Sequence, residues 1–131
     1  MIKKIILAAI AVVAVSVSSA QAGPLYLSFG AENGGNGVLN YTGFANYTVS
    51  KGSVDLIGNG FFDAYPGNGL YVDLAGSTNQ YGALTTNAIF GAGTYHVGLS
   101  LGGPIYNGIT DGANVSWGEG PGLDFTLAGL A

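Results

Sequence analysis

Few side chains in this sequence could do covalent chemistry. It has one imidazole, His96, no cysteine and no arginine. A hydrolytic triad needs a nucleophile, a base and an orienting acid. His96 falls in the middle of an alternating stretch, opposite its apolar residues, and no Gly-x-Ser-x-Gly elbow accompanies it. With three lysines and no arginine, phosphoryl transfer lacks its usual cationic clamp. The seven acids could supply the carboxylate pair of a glycosidase, but they are scattered singly, as solubilising acids are. The expectation is a non-catalytic protein.

Binding chemistry has more to work with. A hard cation takes oxygen ligands from carboxylates, amides and loop carbonyls. Asp55, Asp63 and Asp73 are therefore the candidate ligands of a structural calcium ion. Thiolate zinc and iron–sulfur sites are excluded by the absence of cysteine. A flat aromatic ring beside an amide suits a sugar: the ring covers the apolar face of a pyranose and the amide bonds its hydroxyls. Tyr65 with Asn68, Tyr106 and Trp117 are the candidates for such contacts. The competing role for each is packing in the core or at its rim. Asn40, Asn46 and Asn114 each open a glycosylation sequon, which matters only in a eukaryotic secretory host.

These groups must be positioned by short strands. The chain has 131 residues, of which 24 are glycine and 8% are charged, far below the usual quarter. Residues 1–22 read as a secretory signal peptide: Lys3 and Lys4, then an apolar run from Ile5 to Val17, then Ala20 and Ala22 in a small-x-small pattern. Cleavage is expected between Ala22 and Gly23. Thirteen residues rise about 20 Å as a helix, short of a bilayer core of roughly 30 Å. Removing 22 residues of 131 leaves 109 as a single domain, 23–131, with no further membrane span. Lys51 is then the one fixed cation against seven acids, a formal charge of −6. Such a chain does not bind nucleic acid.

Period-two alternation recurs along residues 23–131, and no amphipathic helical period does. Leu25–Phe29, Leu70–Leu74, Leu84–Phe90, Asn114–Trp117 and Leu123–Leu127 read as strands. Ser50-Lys51-Gly52 reads as the turn of a hairpin joining 46–50 to 53–57. The clearest alternation is Thr94 to Leu101, with Tyr95, Val97, Leu99 and Leu101 on one side. Gly58-Asn59-Gly60 and Gly67-Asn68-Gly69 are two glycine-rich turns nine residues apart. Seven or so short strands between glycine, asparagine and proline clusters describe an all-β, antiparallel β-sandwich or jelly roll.

Four segments carry a family resemblance: GVLNYTGFANYTV from Gly37 to Val49, GSVDLIGNGFFD from Gly52 to Asp63, YPGNGLYVDLAGS from Tyr65 to Ser77, and Gly93-Thr94-Tyr95 with Leu101-Gly102-Gly103. Over residues 32–103 the chain resembles secreted bacterial PEP-CTERM proteins of the choice-of-anchor type, whose ectodomain is similar to a galactose-binding-like jelly roll. The resemblance implies a secreted protein of a Gram-negative envelope or extracellular matrix, associated with exopolysaccharide. It implies little chemistry, because the family is defined by sorting. Members continue through further strands to a Pro-Glu-Pro motif, an apolar helix and a basic tail. The expectation is therefore a sandwich incomplete at its C-terminus, either a fragment of a longer anchored protein or a shortened relative. The alternative role is a surface-assembly protein that self-associates through β-edges and takes no small ligand.

Overall fold

The computed structural model describes residues 6–7, 27–78, 80–104, 108–118 and 120–129. The expected cleavage residues Ala20, Ala22 and Gly23, and the candidate Tyr106, lie outside this set. Seven strands run in chain order: β1 (Ile6–Leu7), β2 (Tyr47–Lys51), β3 (Asp55–Gly58), β4 (Leu70–Asp73), β5 (Ala83–Thr86), β6 (Thr110–Val115) and β7 (Leu123–Ala128). They form three small antiparallel sheets with orders β1-β4-β3, β2-β5 and β6-β7. The described helical content is one 3-10 turn, Glu32–Gly35. The chain is all-β.

The centre is the β3–β4 pair, whose eight residues are all buried. Side chains alternate across a pleat, so the pair shows two different faces. Leu56, Leu70 and Val72 face a core completed by Phe29, Phe44 and Val54. Tyr47 and Val49 of β2 and Leu84 of β5 pack against that same core from the second sheet. Ile57 and Tyr71 point the other way, onto Phe61, Ala64 and Tyr65. Burying one such aliphatic side chain contributes about 1.5–3 kcal/mol, and β3–β4 is anchored on both sides in this way. Val38 extends the sheet beyond β3 through paired bonds with Leu56 of 2.8 and 2.9 Å.

The expected hairpin between 46–50 and 53–57 does not form. Both strands exist, but β2 pairs with β5 (Val49 opposite Leu84) and β3 pairs with β4 (Leu56 opposite Val72). Gly52 turns the chain from one sheet to the other with φ +57, and a β-carbon there would collide with the Tyr81 carbonyl. A positive φ serves a hairpin turn and a sheet-switching turn equally well, so the sequence alone does not separate them. The expected strand 94–101 is also absent: residues 91–101 belong to no ladder. Its alternation survives in part, with Tyr95, Leu99 and Leu101 half-buried between exposed neighbours, while Val97 is exposed. An alternating stretch becomes a strand only when another backbone meets its N–H and C=O groups.

Both glycine-rich turns lie in the one connection from β3 to β4. Asn59-Gly60 is a tight two-residue turn with positive φ at both positions (51° and 85°), closed by reciprocal Gly58–Phe61 backbone bonds of 2.9 and 3.0 Å. That is the asparagine–glycine chemistry of a right-twisted hairpin turn.

The C-terminal part is built differently. β6 and β7 pair over six residues, from Thr110 opposite Ala128 to Val115 opposite Leu123. One face carries Ala113, Val115, Leu123, Phe125 and Leu127; the other carries Thr110, Asn114, Asp124 and Thr126. Leu123 is 68% exposed and Phe125 40%. Asp111 shares this face and is buried, and Ala113, Val115 and Leu127 are half-buried, so the face is open at Leu123 and Phe125.

Candidate functional site

Phe90, Tyr95 and Trp117 gather where residues 90–97 meet the turn between β6 and β7. Their ring centroids are 4.8 Å apart for Phe90–Trp117, 5.3 Å for Tyr95–Trp117 and 5.4 Å for Phe90–Tyr95. Phe90 meets Tyr95 edge-on at 75°, whereas Tyr95 and Trp117 lie within 32° of parallel. Beside them is an open groove of about 340 Å³, lined by Gly93, Tyr95, Val97 and Trp117. Trp117 is 46% exposed and Val97 43%, so the indole contributes to the wall and keeps a surface free.

Local bonds hold the wall in place. The Tyr95 hydroxyl donates to the Gly91 carbonyl at 2.6 Å, closing the loop that carries Gly93. The Asn114 amide donates to the Pro121 carbonyl (3.2 Å) and to Asp124 Oδ1 (2.8 Å), across the mouth of the turn that holds Trp117. Gly120 N–H donates to the Trp117 carbonyl at 3.3 Å within that turn. An aromatic trio fixed by its neighbours loses little side-chain freedom on meeting a ligand. What it offers chemically is stacking and apolar contact. Among the described residues its lining carries no carboxylate, imidazole or amine, and His96, between Tyr95 and Val97 in the chain, is exposed.

Of the described residues singled out for sugar contact, Tyr65, Asn68 and Trp117, the structure places Trp117 at this groove. Tyr65 is half-buried against Tyr71, edge-on at 75° with centroids 6.0 Å apart. Its hydroxyl donates to the Gly103 carbonyl at 2.7 Å, and burial raises its pKa. The Asn68 amide folds back onto the Tyr65 carbonyl at 2.9 Å. This pair stabilises a turn, as asparagine commonly does through its own backbone. Phe90 and Tyr95 were not among the sequence candidates. The available signal was an aromatic residue at each end of the glycine-containing stretch from Phe90 to Tyr95.

The three aspartates considered for calcium are not brought together. Asp63 lies in the β3–β4 connection, where it accepts from Gly60 N–H (3.2 Å), Tyr65 N–H (3.2 Å) and the Tyr71 hydroxyl (3.0 Å). Asp55 and Asp73 face each other across β3–β4. Asp55 accepts from Asn40 N–H at 2.7 Å, Ser77 N–H at 3.2 Å and the Ser77 hydroxyl at 2.8 Å. Asp73 accepts from Ala75 N–H at 2.8 Å. Among the described residues no three acids or histidines are grouped to hold a metal ion. These carboxylates terminate loops: each satisfies backbone N–H groups that have no ladder partner. Buried Glu32 does the same, with both oxygens accepting from Ala45 N–H at 3.0 and 3.2 Å.

Burial also acts on two phenols in this central region. Tyr47 is pushed up to about 12 by desolvation, with the nearby Glu32 charge adding to it. Tyr71 is likewise raised to about 12, first by desolvation and then by its bond to Asp63, while the Tyr65 and Ala64 backbone N–H groups oppose the rise.

Among the described residues no helix is long and apolar enough to cross a membrane. Comparison with protein-family models, curated proteins and solved structures gives no match.

Proposed function

We propose that the chain is a secreted, non-catalytic protein of the bacterial envelope or extracellular matrix that associates with polysaccharide through the Phe90–Tyr95–Trp117 groove. In this reading strands β2 to β7 belong to a jelly-roll-like sandwich of the PEP-CTERM type, and residues 1–22, which include β1, direct export. The observation that carries the binding role is the half-exposed indole in a fixed aromatic wall beside an open groove. A pyranose ring has an apolar face of C–H groups, and a fixed aromatic surface covers that face at low conformational cost. The test is retention of the purified chain on immobilised polysaccharides, with Trp117→Ala beside it. The proposal expects retention that weakens about tenfold or more in the variant, the usual consequence of removing an aromatic anchor. No retention on any polysaccharide would refute it.

One observation favours a second reading, self-association. The β6–β7 hairpin leaves Leu123 and Phe125 exposed on one apolar face, and large uncovered apolar surface is a mark of interaction sites. Sedimentation across a range of concentrations separates the two readings. A strict monomer at all concentrations would eliminate assembly and leave polysaccharide binding untouched.

A further inference from the structure

The aromatic groove is also selective by charge, and this inference rests on the polysaccharide reading above. Among the described residues its lining is Gly93, Tyr95, Val97 and Trp117, none of them charged. A uronate or sulfated sugar must leave water with its charge compensated, and proteins meet that need with arginine forks or lysines. This chain has no arginine, and its three lysines are Lys3, Lys4 and Lys51. Two of these lie in the expected signal peptide, and Lys51 is exposed on β2, in a different sheet from the hairpin that carries the groove. Asp124, in contrast, lies one residue beyond Leu123 on the strand that leaves the turn presenting Trp117, while Asp111 is buried towards the other end of that hairpin. The Tyr95 hydroxyl hydrogen, a candidate donor to a carboxylate, is already committed to the Gly91 carbonyl.

We infer that the Phe90–Tyr95–Trp117 groove takes uncharged glycans, polymers of neutral hexoses or pentoses with an exposed C–H face, and rejects uronate-bearing ones. Attraction comes from ring stacking, which ignores ionic strength. Rejection comes from unscreened negative charge on both partners, which falls off over a Debye length of about 8 Å at physiological salt. Charge of this kind governs which partner is admitted more than how tightly the right one is held.

The test is affinity electrophoresis of the purified chain at pH 8 in low-salt buffer with a calcium chelator. One set of gels contains a soluble neutral glucan or galactomannan, and the other contains polygalacturonate. The expected result is retardation by a neutral polymer and binding to polygalacturonate weaker by about tenfold or more, with added salt narrowing the gap. Trp117→Phe should keep part of the neutral binding, and the wild-type comparison does not depend on how any variant folds. Equal or stronger retardation by polygalacturonate would overturn the charge selectivity while leaving the polysaccharide reading in place. Retardation by neither polymer would overturn that underlying reading.

Discussion

The β3–β4 pair and the β6–β7 hairpin are both two antiparallel strands with apolar residues at alternate positions, yet they have opposite surroundings. β3–β4 is covered on both faces, and its acids Asp55 and Asp73 are buried to within 2%. Asp55 is fully bonded to neighbouring loops. In β6–β7, Leu123 and Phe125 stand in solvent, and Asp111 has a buried carboxylate oxygen, Oδ2, without a hydrogen-bond partner. The difference lies in what covers each pair. Loops 29–44 and 59–69 and the β2–β5 sheet supply layers for the first, whereas the second is covered at Asp111, partly at Ala113, Val115 and Leu127, and open at Leu123 and Phe125. Buried contacts are concentrated in one region and exposed apolar side chains in the other.

The sharpest way to break this contrast is a matched pair of truncations. Leu56→Ala should cost about 2–5 kcal/mol in urea unfolding, because it opens a cavity in a closed core. Leu123→Ala, at a side chain already 68% exposed, should stay within about 0.5 kcal/mol. Equal losses would mean that the hairpin face is covered in solution, and would favour the assembly reading.

The acids give a second contrast. Asp55→Ala removes the acceptor of Asn40 N–H and Ser77 N–H, and stranding buried donors should cost about 1–3 kcal/mol or more. Asp111→Val replaces a partnerless buried oxygen with a β-branched side chain on an apolar strand face, and should raise stability by up to about 1 kcal/mol. Thermal melts of the two variants should therefore move in opposite directions. Melts that fall together would show that Asp111 is satisfied in solution.

Alkaline titration separates the regions again with a smaller effect. Tyr47 and Tyr71 belong to the central region, and both are raised from 10.0 to about 12. Folding there favours the neutral phenol. The stability this confers is complete below pH 10 and is lost progressively as pH rises from 10 towards 12. Phenolate absorbance should show these two tyrosines ionising late, together with loss of the central core. Ionisation of all eight tyrosines near pH 10 with the fold intact would contradict the packing described for them.

Much of the strand content was legible in the sequence, and little of the pairing was. Leu70–Asp73 and Leu123–Ala128 fall on stretches whose alternation matches the two-residue side-chain period of a pleated strand. The partner of β2 was not legible: Gly52 has the same backbone need in a hairpin and in a turn between sheets. Thr94–Leu101 shows the opposite failure, good alternation without a second backbone to bond. The site was half legible. Trp117 stood out as the single tryptophan near polar turn residues, but its grouping with Phe90 and Tyr95 depends on how two turns meet, which spacing does not encode. Tyr65 and Asn68 had the right residue types for a sugar, and folding uses both to close a turn.

Trp117 is the only tryptophan in the chain, so indole fluorescence excited beyond the tyrosine absorption band reports on the proposed groove. The most direct test of the central claim is titration of the purified chain with a neutral oligosaccharide while the indole emission is followed. The account predicts a saturable shift of the emission to shorter wavelength as sugar displaces water from the half-exposed ring, and no such shift with an oligogalacturonate at equal concentration. An emission spectrum unchanged by oligosaccharides of either class would contradict it.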